Sequence, residues 1–330
     1  MPSPDANPDV SRRRLVVREL LEMKGDALQL DNLTPDVDLD RPVADGDISS
    51  PGLALAGWTG RFAEGRMQVF GETEMRYLAG LVEDEVRRRL RDLFHLAIPA
   101  IFVTKGQTVP TLFLELAREA GIPVLSSRLT TKEFYRRVKP FLETALAPTT
   151  TLHGSLADVY GVGLLFVGKS GVGKSECVLD LVERGHRLVA DDLVFASRRG
   201  NDVLIGKGHE LQRHHMEIRG IGIIDVGALF GIRATRQQKR IEVVVNLERW
   251  DVSRDYTRTG LDEDTQEILG VTLPRITIPL NPGKNITVVS EVVAMNHLLK
   301  YTGVDSAAAF DQNLRESMRP TEDYLEQDYE

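Results

Sequence analysis

At 330 residues and 36.8 kDa the chain is long enough for two ordinary domains or one large α/β domain. Its 41 basic and 49 acidic residues leave a net charge of −8, five of it from the last twenty positions, so nowhere do Lys and Arg gather without acids as a duplex-binding surface needs. One cysteine excludes an intrachain disulfide framework, and the longest apolar run, LAIPAIFV at 96–103, is far short of the roughly 20 residues that span a bilayer. The first 25 residues hold no signal-type apolar segment, so the expectation is a cytoplasmic protein with neither a nucleic-acid nor a membrane partner.

Residues 1–14 are rich in Pro, Asp and Arg with nothing to bury and read as a disordered tail. Ordered structure is expected from LVVRELLEM onward, with loops and brief strands over 31–52. GLALAGW (52–58) and RMQVFG (66–71) read as strands, and MRYLAGLVEDEVRRRLRDLFH as helix, its Leu and Val recurring at threes and fours. AIFVTKG reads as a buried strand, PTLFLELAREAG as a helix started by Pro110 and stopped by Gly121, IPVLSS as a strand and TTKEFYRRVKPFLETAL as a helix. Alternating strands and helices describe a small α/β domain over 15–147. The polar stretch APTTTLHGS marks a boundary near 148. A second domain is expected over 148–310, ending in a helix, with an acidic, partly disordered tail over 311–330.

The second half carries the chemistry. VGLLFV (162–167) is an apolar strand, GKSGVGKS follows at 168–175, and SECVLDLVERG continues as a helix. Strand, G-x-x-x-x-G-K-S, then helix is the context of a phosphate-binding loop. Gly168, Lys169, Ser170, Gly171, Val172, Gly173, Lys174 and Ser175 would form it. The glycines let successive N–H groups turn inward, the helix N-terminus adds partial positive charge, Lys174 reaches the β and γ phosphates, and Ser175 offers a hydroxyl to Mg²⁺. A GTPase is excluded: no Asn-Lys pair exists, and Asp158-x-x-Gly161 lies upstream of the loop.

HRLVADDLVF places Asp191 and Asp192 at the end of a short strand, 17 and 18 residues after Lys174, with room between for one helix and one turn. Alternation should point the two acids differently, one anchoring the loop and the other facing metal or acceptor. His209-Glu210 begins like a zinc motif, but position 213 is arginine, so the spacing fails. In MEIRG, Glu217 lies between apolar residues where an unpaired charge would be costly; pairing with Arg219 and carboxylate help to Mg²⁺ both account for it. Taken alone, His153 and Arg258 read as surface residues, while the Pro-Gly turn carrying Lys284 suits an anion contact. Cys177 reads as helix packing.

These segments together resemble the bacterial HPr kinase/phosphorylase family. The likeness runs through ISSPGLALAG, MQVFGETE, LAPTTTLHGSL, the phosphate loop with its trailing Ser175-Glu176, RGHRLVADD, MEIRGIGIIDV, LERW and PGKN, covering about 15–300 in order. The resemblance implies a first domain like one of the muramyl-peptide ligases and a second like the nucleotide core of phosphoenolpyruvate carboxykinases, in a homohexamer. It implies ATP- or pyrophosphate-dependent phosphorylation of a regulatory serine on the phosphocarrier HPr, or on an HPr-like paralogue, and phosphorolysis of that phosphoserine by inorganic phosphate. By motif, Asp192 is base forward and acid in reverse. His153, Lys174 and Arg258 are catalytic, and Ser175 and Glu217 hold Mg²⁺ (or Mn²⁺). Met216, Glu217, Ile218, Arg219, Gly220, Ile221, Gly222, Ile223, Ile224 and Asp225 serve both activities; Pro279, Leu280, Asn281, Pro282, Gly283 and Lys284 serve phosphorolysis. The chain departs from the family at Thr257, usually aspartate, at Asn281 and Lys284, usually arginines, and over 34–47, which is longer or looser. A small-metabolite kinase or carboxykinase-like enzyme on the same core leaves TLHGSL and MEIRG without a reason. A nucleotide-dependent regulator without turnover does not need the intact set of loop lysine, serine and base.

Overall fold

The apolar run at 100–103 has water on neither side. Ala100 and Phe102 pack to one face of a sheet, Ile101 and Val103 to the other, as in a central strand of a parallel sheet. The computed structural model describes residues 11–12, 14–210, 213–251, 264–281 and 283–327, and the chain divides into two compact units, Ser11–Pro148 and Thr149 onward. The expected tail over 1–14 falls almost wholly outside the described residues.

In the first unit the sheet runs, edge to edge, Leu30–Asn32, Val124–Ser127, Ile101–Val103, Met67–Phe70 and Ile48–Ser49; only the first pairing is antiparallel. Helices Glu83–Phe94 and Thr111–Glu119 bury Leu90, Leu93, Phe113 and Leu116 on one face. Helices Val17–Leu28 and Thr131–Ala145 bury Leu20, Leu28, Phe134 and Val138 on the other. Two expectations are corrected. GLALAGW is not a strand: Gly52–Leu55 is one helical turn after Pro51, with Leu53 outside and the consecutive Ala54 and Leu55 both buried, a pattern of period other than two. The long helix is two, Glu72–Ala79 and Glu83–Phe94. Gly80 closes the first, and Glu83, Asp84 and Glu85 supply the acidic first turn that favours a new start.

The second unit is built on a six-stranded sheet in the order Arg187–Ala190, Ser155–Val159, Val162–Gly168, Val243–Arg249, Val271–Leu280, Thr265–Ile268. Val162–Gly168, Val243–Arg249 and Val271–Leu280 are parallel, while Ser155–Val159 is antiparallel to both its neighbours. Leu164, Phe166, Val243 and Val245 face helices Lys174–Glu183 and Ile286–Tyr301. Leu156, Leu165 and Val244 face the other way, against Val194, Ala196, Leu204 and Ile241 of a second, antiparallel sheet containing Pro148–His153, Leu193–Arg199, Val203–Lys207 and Gln238–Ile241. The apolar stretch IEVVVNLERW is divided at Glu242 between strands Gln238–Ile241 and Val243–Arg249. Its carboxylate accepts the Gly163 N–H at 2.8 Å, and there the chain passes from one sheet to the other. The acidic end, read as a partly disordered tail, is helical over Ser306–Gln327; Asp305 caps its first amides, and Asp311–Arg315 is an i,i+4 pair.

Helix Ile286–Tyr301 is fastened by a buried acid. Glu291 accepts two hydrogen bonds from the Arg184 guanidinium, at 2.8 and 2.7 Å, and a third contact from His186 Nε2 at 3.0 Å. The Arg184 bonds hold the Glu291 carboxyl down at about 2, well below its ordinary 4.5. A depressed carboxylate contributes stability above its unfolded pKa and loses it as pH falls through the folded one. Glu291→Gln should therefore cost about 1–3 kcal/mol at pH 7, Arg184 being half exposed. In thermal unfolding followed from pH 7 to pH 3, the gap from wild type should narrow below about pH 4.5.

Candidate active site

Strand direction brings the predicted residues to one edge. Val162–Gly168 ends there in the phosphate loop, and the parallel Val243–Arg249 and Val271–Leu280 end beside it, leading into Trp250 and the turn after Leu280. Ser155–Val159 runs oppositely, so its start, with His153 and Gly154 just before it, lies at the same edge. Arg187–Ala190 opposes that strand in turn and delivers Asp191 and Asp192 there. Ligands of open α/β sheets sit outside the carboxyl ends of parallel strands.

Within the loop, Gly168 has φ +142 and Gly171 φ +72, and a Cβ at Gly168 would lie 2.3 Å from the Leu247 carbonyl oxygen. Lys174 turns back over the loop, its Nζ donating to the carbonyls of Gly168 at 3.2 Å and Lys169 at 3.3 Å. Ser175, on the first turn of helix Lys174–Glu183, donates to Asp191 Oδ1 at 3.0 Å. That oxygen also accepts the Ser155 hydroxyl at 2.5 Å, while Asp191 Oδ2 is buried with no hydrogen-bond partner. Burial pushes the Asp191 carboxyl up, and the two serine bonds oppose the rise.

The adjacent acids do separate, but in the bend between strands Arg187–Ala190 and Leu193–Arg199 and not by strand alternation: Asp191 is turned inward to the loop serine, and Asp192 is exposed. Asp192 holds φ +61, and its carbonyl accepts the Gly154 N–H at 3.0 Å. His153 is exposed and paired across the strands with Leu193, the residue after Asp192.

MEIRGIGIID forms a hairpin, His215–Ile218 with Gly222–Asp225. Met216 and Ile218 enter the same core as Cys177 and Val178 of the loop helix. Glu217 therefore lies on the opposite, exposed face, and the expectation that it is enclosed among apolar neighbours is corrected: in a two-stranded hairpin only alternate residues face the core. No ion pair joins it to Arg219. Arg219 instead stands over the phosphate loop, its guanidinium 2.8–3.1 Å from where a Cβ at Gly171 would be. Asp225 caps the short helix Val226–Phe230 by accepting the Ala228 N–H at 3.0 Å. Ile221, Gly222 and Ile223 are exposed. Pro279 and Leu280 end their strand, and the turn after them closes through Lys284 N–H to Asn281 O at 3.1 Å, with Gly283 at φ +86 and Asn281 and Lys284 exposed. Arg258 and Pro282 lie outside the described residues. Cys177 is buried, and burial pushes its thiol up to about 11, which suits packing and not nucleophilic chemistry.

Sequence reasoning did not single out Ser155, or Arg219 as a loop neighbour. Ser155 carries no spacing signal, because its approach to Asp191 comes from an antiparallel pairing. Among the described residues no group of three or more His, Cys, Asp or Glu side chains is placed to hold a metal by itself.

The chain matches two family profiles, the HPr Serine kinase N terminus over residues 15–142 and the HPr Serine kinase C-terminal domain over 144–314. It is 48% identical to the HPr kinase/phosphorylase of Chloroherpeton thalassium over 84% of this chain and 82% of that one. It is 46% identical to that of Prosthecochloris aestuarii over 88% of each. A solved structure, the Hpr(Ser) kinase/phosphatase from Coxiella burnetii, aligns with 49% of this chain and 98% of its own at 34% identity, with a TM-score of 0.44.

The close approach at Gly168 gives a test of the loop itself. Gly168→Ala places a methyl group against the Leu247 carbonyl in a backbone region that L-residues rarely adopt. It should cost more than about 2 kcal/mol, read as a lowered urea midpoint, whereas Gly185→Ala, with open space around it, should cost less.

Proposed function

The chain belongs to the HPr serine kinase family, and on that premise we propose that it transfers a phosphoryl group from ATP or pyrophosphate to a regulatory serine of HPr, or of an HPr-like paralogue. We propose also that it removes that group by phosphorolysis. In the forward direction the serine hydroxyl attacks the terminal phosphoryl group, its proton passes to Asp192, and ADP or phosphate leaves. In reverse, inorganic phosphate attacks the phosphoserine, Asp192 returns the proton to the serine oxygen, and pyrophosphate forms. The observation that carries this reading is the pair of acids: Asp191 is bonded to the loop serine, and the next residue, Asp192, is an exposed carboxylate at the same edge. The positive φ of Asp192 supports it, since side chains held in sparsely populated conformations cluster at working sites.

The donor chemistry fits Mg²⁺ or Mn²⁺: the Ser175 hydroxyl, the unpartnered Asp191 Oδ2 and the exposed Glu217 carboxylate are hard oxygen ligands, too few for a protein cage and suited to a cation shared with phosphates. Bound there, the cation would neutralise charge on the transferring group. Lys174, released from the loop carbonyls, would meet the β and γ oxygens; Arg219 stands where a second cation can face them. His153, one strand away from Asp192, and Arg258 complete the catalytic set in this reading. The homohexamer, the cytoplasmic location, and the likeness of the two units to a muramyl-ligase domain and a carboxykinase nucleotide core belong to the same proposal.

Asp192→Asn keeps the shape and removes the base, so phosphorylation and phosphorolysis should each fall by about 10²-fold or more, with ATP affinity within about twofold. The measurement is phosphoserine formation on purified HPr, and its loss with phosphate. A larger loss in Asp191→Asn, with Asp192→Asn near wild type, would overturn the assignment. Phosphorolysis also needs inorganic phosphate held beside a charged phosphoserine, and arginine grips a phosphate through two donors where lysine offers one compact charge. With Asn281 and Lys284 in that turn, phosphorolysis should require high phosphate. The double change Asn281→Arg with Lys284→Arg should lower the apparent KM for phosphate about 3- to 30-fold and leave the ATP-dependent rate within about twofold. Equal phosphate dependence in the two proteins would place the anion contact elsewhere.

A further inference from the structure

Ser155 is fully buried in the second strand of the catalytic unit, opposite Phe166, and is assigned no part in the reading above. Its hydroxyl and that of Ser175 both donate to one oxygen, Asp191 Oδ1, at 2.5 and 3.0 Å. The second carboxylate oxygen is left buried and unpartnered. A buried acceptor without a donor is costly and rare in a native core unless another group completes it. Two donors on one oxygen fix the carboxylate plane, so this cost is held at one defined atom beside the loop serine. One of the donors belongs to the phosphate loop. The other sits on the sheet, the most rigid platform available.

From this we infer that Ser155 is a positioning residue: acting through Asp191, it fixes the Ser175 hydroxyl and the open Asp191 Oδ2 as a preformed pair of oxygens for the divalent cation that accompanies the nucleotide. The inference rests on the phosphate-loop reading and deepens it. Without the Ser155 hydroxyl, Asp191 can rotate to satisfy Oδ2 locally, and the cation must then reorganise the pair before it binds. The phosphates themselves, cradled by backbone N–H groups and Lys174, are untouched by this change.

The test uses the full-length protein and a fluorescent ATP analogue, titrated with Mg²⁺ and, separately, in excess EDTA. In Ser155→Ala and in the nearly isosteric Ser155→Cys, a much weaker donor, the Mg²⁺ concentration that half-saturates the metal-dependent gain in binding should rise about 3- to 30-fold. Affinity in EDTA should stay within about twofold of wild type. In an Asp191→Asn background the same Ser155→Ala change should alter the Mg²⁺ requirement by less than twofold, because the serine acts through that carboxylate. Unchanged Mg²⁺ dependence in either folded single variant, or an undiminished effect in the Asp191→Asn background, would overturn the inference and leave Ser155 a packing residue. A wild-type protein that binds the analogue neither with Mg²⁺ nor in EDTA would overturn the phosphate-loop reading and this inference together. That result differs from the others because it appears before any substitution is made.

Discussion

Strand Val162–Gly168 is buried on both faces, Leu164 and Phe166 against helices and Leu165 against a second sheet, so it can shift in neither direction without exposing core. A register slip by one residue would exchange the two faces outright. With the strand fixed, the loop leaving its carboxyl end starts from an immobile point. Its parallel partners Val243–Arg249 and Val271–Leu280 must end at the same edge, and the antiparallel Ser155–Val159 must begin there. The site is assembled by strand direction more than by any single contact.

That explains what could be read from the sequence and what could not. The phosphate loop is local: strand, glycines, Lys174 and Ser175 are contiguous, so their geometry was legible in residue order. Asp191 and Asp192 were nearly so, since the short span from Lys174 keeps them near the loop; the acids part, but through the bend after Ala190 and the positive φ of Asp192 instead of through strand alternation. His153, Ser155 and the turn after Leu280 are distant in sequence, and only the pairing of strands brings them to the loop. Resemblance supplied His153 and strengthened the turn, which its Pro-Gly and Lys284 already marked; Ser155 lay within a resembling segment but was given no role.

The misreadings have physical causes too. Apolar neighbours around Glu217 suggested an enclosed charge, but a hairpin with one packed face sends alternate side chains outward, and Glu217 is on that side. The same geometry freed Arg219 from the partner expected for it and set it against Gly171, where a side chain would collide. In the first unit, the residues after Pro51 had the composition of a strand yet form one helical turn that leaves Leu53 outside and packs Ala54 and Leu55. Composition reports what must be buried; period decides how.

The Arg184–Glu291 pair has a consequence for local opening. Arg184 closes the helix that begins at Lys174, and Glu291 lies in the helix that begins after Asn285, so the pair joins the far end of one to the near end of the other. Thr287 adds a bond to Asp180 at 3.3 Å. Loop, helix, ion pair, helix and turn thus form one continuous connection along the edge of the sheet. Segments tied in this way open together and exchange their amide hydrogens as one cooperative unit. Fraying at the Asn281 turn is then felt at the phosphate loop, and a ligand that orders either one slows exchange in both.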